Sequence, residues 1–200
     1  EDVPYWGRIK IIKDQVAEKK GLMIREIMNF GSDAQLRLDA YAWSWAACSF
    51  LDTHPAFQKT FREHLKNIGD SSPEFSRDLV KAYGEQWFQV CQQWQVFVMN
   101  IEYGFDIARE SIDVVEVRPL ELAAEVIPVR ADRGWQSTGL RVTAGMKLAI
   151  TATGRFVIHR EESDEQPQGI PWESEAGGIT LRYHRGQPLG KLLIALDEPQ

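Results

Sequence analysis

The spacing of apolar residues changes once along this chain, and the change limits the folds open to it. As far as about residue 110 apolar residues recur at helical intervals; beyond about residue 114 they alternate with polar ones. Helical spacing gathers side chains onto one face of a helix, and alternation gathers every second residue onto one face of a strand. The two patterns in this order predict an α+β chain with two domains. A helical domain, residues 1–112, is followed by an antiparallel β-sandwich domain, residues 113–200. The chain has 200 residues, 44% of them hydrophobic, which is enough to bury a core.

Trp6, Ile9, Ile12 and Val16 form a first stripe, ended by Gly21, and Leu22 to Phe30 can hold a short helix. Ser32 or Asp33 is predicted to cap the next helix, which runs through Tyr41 to Leu51. Its segment "DAYAWSWAACSF", residues 39–50, is apolar nearly all round, so the helix is expected to be buried. Trp43, Ala47 and Phe50 share one side of it; Tyr41, Trp45 and Cys48 share the other. Trp43, Trp45 and Phe50 are read as core. The His54-Pro55 pair breaks this helix and starts another. Phe57, Phe61, Leu65 and Ile68 continue to Gly69; Ser72 and Pro73 open a further helix with Phe75, Leu79 and Tyr83. Gly84 separates the last one, which carries Trp87, Cys91, Trp94 and Val98.

In the second half "VVEV", "EVIPVR", "GLRV", "KLAITA", "RFVIH", "ITLRYH" and "KLLIAL" read as short strands punctuated by glycine turns. Ile179, Leu181 and Tyr183 are predicted to face the core of the sandwich. Asp106 and Arg109 are placed to form an ion pair that locks the two domains. The polar segment 160–171, "REESDEQPQGIP", reads as an exposed loop. Its acid pairs are solvated charge, with weak calcium binding as the alternative.

The net charge of −6 is spread along the chain without a basic stripe, which argues against nucleic acid as a partner. No run of about 18 apolar residues occurs, so no membrane span is expected. The start "EDVPYWGR" lacks Met and a secretory signal, and the chain is read as a fragment of a longer protein. HExxH, GxSxG, P-loop and GxGxxG motifs are all missing, and the histidines, at 54, 64, 159 and 184, show no metal-ligand spacing. No cofactor is therefore expected in this chain. Cys48 and Cys91 read as two buried thiols, or as a disulfide between neighbouring helices. Trp135 either plugs the end of the sandwich or stacks on a sugar.

Two stretches carry resemblances. "DRGWQSTGLRVTAGMKLAITATGRF" with "GGITLRYHRGQPLGKLLIAL" resembles the galactose-binding-like β-sandwich of the calcium-dependent galactophilic lectins of bacteria. The matching positions are Trp135, Thr138-Gly139, Val142, Gly145, Ala152, Gly154-Arg155 and Pro188-Leu189-Gly190 with Leu192. That family's closing strands, with most of its ligand contacts, have no counterpart before the end at "LDEPQ". The sandwich is therefore expected to be incomplete at its C-terminus, and no calcium or sugar ligand is carried over.

"YAWSWAACSFLDTHPAFQKTF" resembles the helical region downstream of the zinc motif in gluzincin-type, peptidase MA-like metallopeptidases of bacteria. There a tyrosine opening the helix donates a hydrogen bond to the tetrahedral oxyanion, and the matching residue is Tyr41. The resemblance implies a secreted or extracytoplasmic parent whose zinc ligands lie in an N-terminal domain before Glu1. Zinc would belong to that parent, and peptide would be its substrate. This chain alone is expected to be inactive. The alternative is a non-catalytic module that binds carbohydrate or a cell-surface partner on a helical scaffold.

Overall fold

The computed structural model describes residues 7–67, 73–113, 115–121 and 124–196. Trp6, Ile68, Gly69, Ser72 and Val114, which the sequence reading used, lie outside them. Helices precede antiparallel strand pairs, as the change of period requires. The helices are α1 (Arg8–Ala17), α2 (Ile24–Met28), α3 (Leu38–Thr53), α4 (Gln58–His64), α5 (Pro73–Tyr83), α6 (Trp87–Asn100) and α7 (Ile107–Glu110). The strands are β1 (Arg118–Pro119), β2 (Leu140–Arg141), β3 (Arg155–Glu161), β4 (Ile170–Glu175), β5 (Ile179–His184) and β6 (Gln187–Leu189).

Ser32 and Asp33 do not cap α3. They sit in a 3-10 turn, Ser32–Leu36, and the extended Arg37 (φ −112°, ψ 125°) intervenes before α3 begins. The end of α3 follows the sequence closely. Proline disfavours helical backbone at the residue before it, and His54 is extended at ψ 123°. A turn through residues 55–57 then leads into α4. Gly84 takes φ +54°, which a side chain would resist, and so separates α5 from α6.

The core lies between α3 and α6, closed by α1, α2 and Phe57. Trp43 and Trp94 are fully buried, their ring centroids 6.2 Å apart. Phe50 packs against Trp94 at 5.6 Å, Phe97 at 5.3 Å and Phe57 at 5.8 Å. Both indole N–H groups are satisfied: Trp43 donates to Gln15 at 2.5 Å and Trp94 to the Leu22 carbonyl at 2.9 Å. Only one side of α3 is buried, contrary to the expectation for the whole helix. Trp43, Ala47 and Phe50 face inward, while Tyr41 and Cys48 are exposed and Trp45 is half-buried at the rim.

The chain divides into two compact units, Glu1–Leu140 and Arg141–Gln200. The sequence boundary at 112/113 therefore falls inside the first unit, and the reason is local. Gln93 of α6 exchanges two hydrogen bonds, each 2.9 Å, with the backbone of Ile112. Arg133 donates to the Ser111 carbonyl at 3.2 Å. Gly134 lies so close to Glu110 that an added Cβ would stand 3.3 Å from its Cα and overlap its carboxyl group. Gly134→Ala is expected to lower the stability of this unit by roughly 1–2 kcal/mol. Urea denaturation would show it, and an unchanged midpoint would mean that residues 111–140 are not held this way.

Asp106 and Arg109 form no interdomain lock. The Asp106 carboxylate caps α7, accepting from the Arg109 backbone N–H at 3.0 Å, and the Arg109 guanidinium pairs with Glu110 at 2.9 Å. An aspartate three residues ahead of a free helical N–H is better used as a cap than as a long-range partner.

The strands pair two by two, β1 with β2, β3 with β4, and β5 with β6. In the antiparallel β3–β4 hairpin Phe156 lies opposite Ser174, His159 opposite Trp172 and Glu161 opposite Ile170, with a bulge between Val157 and His159. Of the expected strands, "GLRV", "RFVIH" and "ITLRYH" are paired, whereas "EVIPVR" and "KLAITA" carry no strand. The exposed loop shortens to residues 162–169, because residues on either side of it extend β3 and β4. Leu181 is 90% exposed and Tyr183 60% exposed, so the predicted inner face of "ITLRYH" meets no covering sheet among the described residues.

Candidate functional site

Tyr41 stands in the first turn of α3, on the side away from Trp43, and is 55% exposed. This exposure departs from the expectation that the helix is buried all round. The helix beneath it is fixed, because Ala40, Ala42 and Trp43 around it are all buried. Trp45, one turn further on, lies on the same side. Arg8, the first residue of α1, covers both rings: its Cζ is 4.9 Å from the Tyr41 ring centroid and 5.4 Å from that of Trp45. A guanidinium at these distances is attracted by the ring quadrupoles. Nearby, Arg37 grips Asp39 at 2.6 Å, and this bond holds the Asp39 carboxyl below the usual carboxylate range.

The histidines do not converge. His54 is buried, stacked on Phe57 with centroids 3.9 Å apart. Its Nε2 bonds Gln93 at 2.7 Å and its Nδ1 accepts the Ala56 N–H at 3.2 Å, so both ring nitrogens are engaged. His64 bonds the Phe75 carbonyl at 2.9 Å, and His159 stands edge-on to Trp172. Among the described residues no three His, Cys, Asp or Glu side chains come together as metal ligands. The space beside His54 and Gln93 measures about 20 Å³ and is lined by Phe50, Phe97, Phe105 and Ile107. It has room for about one water and for no substrate.

Both cysteines are free. Cys48 is exposed on α3, not buried as expected, yet the groups packed about its thiol and the nearby Asp52 carboxylate raise its pKa. Burial also raises that of Cys91. Trp135 is 40% exposed, on a turn braced by Gln136, whose side chain accepts the Arg130 N–H at 3.0 Å and donates to the Arg130 carbonyl at 2.8 Å. No described helix is long and apolar enough to cross a membrane.

Sequence reading singled out Tyr41 by resemblance and took Trp45 for core; it did not single out Arg8 or Gln93. "WGRI" contains nothing that distinguishes an arginine lying over distant rings, and "QVCQQW" does not show which of its glutamines turns inward. Compared with models of protein families, with curated proteins and with solved structures, the chain matches none.

Proposed function

We propose that the helical unit is the C-terminal part of a gluzincin-like hydrolase, in which Tyr41 donates a hydrogen bond to the oxyanion formed on a scissile carbonyl. The supporting observation is the exposed phenol of Tyr41, carried on a helix whose opposite face is locked into the core. An oxyanion donor has to be accessible and preorganised at once, because its worth comes from standing in place before charge develops. The metal ligands that the resemblance implies belong, on this reading, to the domain preceding Glu1. Residues 141–200 are accessory, and the complete protein acts on peptides outside the cytoplasm.

In the complete protein, Tyr41→Phe is expected to lower kcat about 10²-fold. KM should change little, because the ground-state carbonyl carries little charge. Stability should stay within about 0.5 kcal/mol, since the ring is on the surface. Unchanged turnover in the folded variant would overturn the role. A second reading, a non-catalytic carbohydrate-binding module, draws on the exposed Trp135 and its braced turn. It would be favoured if Trp135→Ala abolished retention on immobilised glycans.

A further inference from the structure

Arg8 and Arg25 both lie over aromatic rings with no salt bridge to a described carboxylate, and Arg8 covers two rings at once. Arg37, Arg62, Arg109, Arg118, Arg130 and Arg155 each hold a carboxylate. Arg8 holds two aromatic rings, and among the described residues no carboxylate lies within ion-pair distance of it. Rings occupy the faces of a guanidinium and leave its in-plane N–H groups open. Those groups form a fork that matches a planar, two-oxygen acceptor. The Tyr41 ring packs against the guanidinium, while its single O–H donor is kept for the oxyanion.

We propose that Arg8, Tyr41 and Trp45 form a carboxylate-binding site. Taken with the oxyanion role of Tyr41, on which this part rests, the site selects peptides bearing a carboxylate beside the scissile bond. Arg8 is then a specificity residue and Trp45 the platform that orients it. Carboxylate is favoured over phosphate because a single guanidinium faces the ligand. A phosphate dianion would also approach a protein of net charge −6 with only one cation to meet it.

The test is a titration of the 200-residue chain, read at the Arg8 Nε–H resonance, which is assigned by its loss in Arg8→Lys. The probes are N-acetyl-Ala-Ala as free acid, its C-terminal amide, N-acetyl-Ala-Glu-amide and inorganic phosphate. At least one carboxylate probe is expected to bind about fivefold more tightly than the uncharged amide, the scale of an exposed charge pair. Arg8→Gln should remove that difference, and Arg8→Lys should keep only part of it because the fork is lost. A tighter free acid assigns the carboxylate to a peptide C-terminus; a tighter glutamyl amide assigns it to a side chain. Equal titration by charged and uncharged probes, the same preference in Arg8→Gln, or phosphate binding above both acids would overturn the proposal. Turnover does not enter this measurement. If Tyr41→Phe proves neutral for kcat while the acid preference holds, the oxyanion role fails and the carboxylate site stands.

Discussion

Trp43→Ala is expected to destabilise the helical unit by about 3–5 kcal/mol, the range for truncating a buried large aromatic. The ring is fully buried, 6.2 Å from Trp94, and its N–H donates to Gln15. Alanine would leave a cavity that the surroundings are poorly able to close. The neighbours along α3, Ala42, Ala46 and Ala47, are buried and too short to reach into it. Domains of this size are stable by about 5–15 kcal/mol, so the loss is a large share of the whole. Trp45→Ala is the internal control. Its ring is half-buried beneath Arg8, and about 1 kcal/mol is expected. Guanidinium denaturation of both variants checks the pair. Equal losses would mean that α3 is rotated from the orientation described here.

The same helix shows what was legible in the sequence. Its existence and its end at His54-Pro55 follow from local rules, because periodicity and proline act within a few residues. Which of its two aromatic sides faces inward does not. Tyr41, Trp43 and Trp45 are all apolar enough for a core, and the choice is made by Trp94 and Phe97, which come from α6. The strands failed in a related way. Alternation marks the two faces of a strand but says nothing of a second sheet to cover one of them. Hence "ITLRYH" forms β5 while Leu181 stays exposed. The unit boundary was unreadable because Gln93 and Gly134 fix it by contacts with Ile112 and Glu110, and neither contact leaves a local pattern. Tyr41 was singled out only through resemblance. Its partner Arg8 lies in a different helix, beyond the reach of any spacing rule.

Gln93→Ala is expected to cost about 3–5 kcal/mol, though the residue carries no charge and lines no substrate-sized pocket. Its Oε1 accepts from His54 Nε2–H at 2.7 Å and from the Ile112 N–H at 2.9 Å, while its Nε2 donates to the Ile112 carbonyl at 2.9 Å. This pattern fixes the amide orientation, since the reverse would set an NH₂ group against the Ile112 N–H. It also fixes the imidazole as the Nε2–H form, because Nδ1 accepts from Ala56. Alanine would leave three polar groups without partners in or beside the core, each costing about 1–3 kcal/mol. Leucine would fill the volume yet restore none of these bonds, so it should recover little.

The same network predicts a pH response. Burial holds the His54 pKa below its ordinary 6.5, a pull that Gln93 and Asp113 oppose without reversing. The unfolded chain therefore takes up a proton at a higher pH than the folded one. His54 contributes its full stability above about pH 6.5. That contribution falls as the solution is acidified below this value, until the folded histidine itself protonates. The slope from one such group is at most about 1.4 kcal/mol per pH unit. Denaturation midpoints measured between pH 7.5 and 5 should fall for the native chain, and His54→Gln, less stable at neutral pH, should flatten this part of the profile. A native profile that is level or rises with acid would show that His54 is charged in the fold. The neutral Nε2–H tautomer, and with it the network that ties Ile112 to α6, would then be wrong.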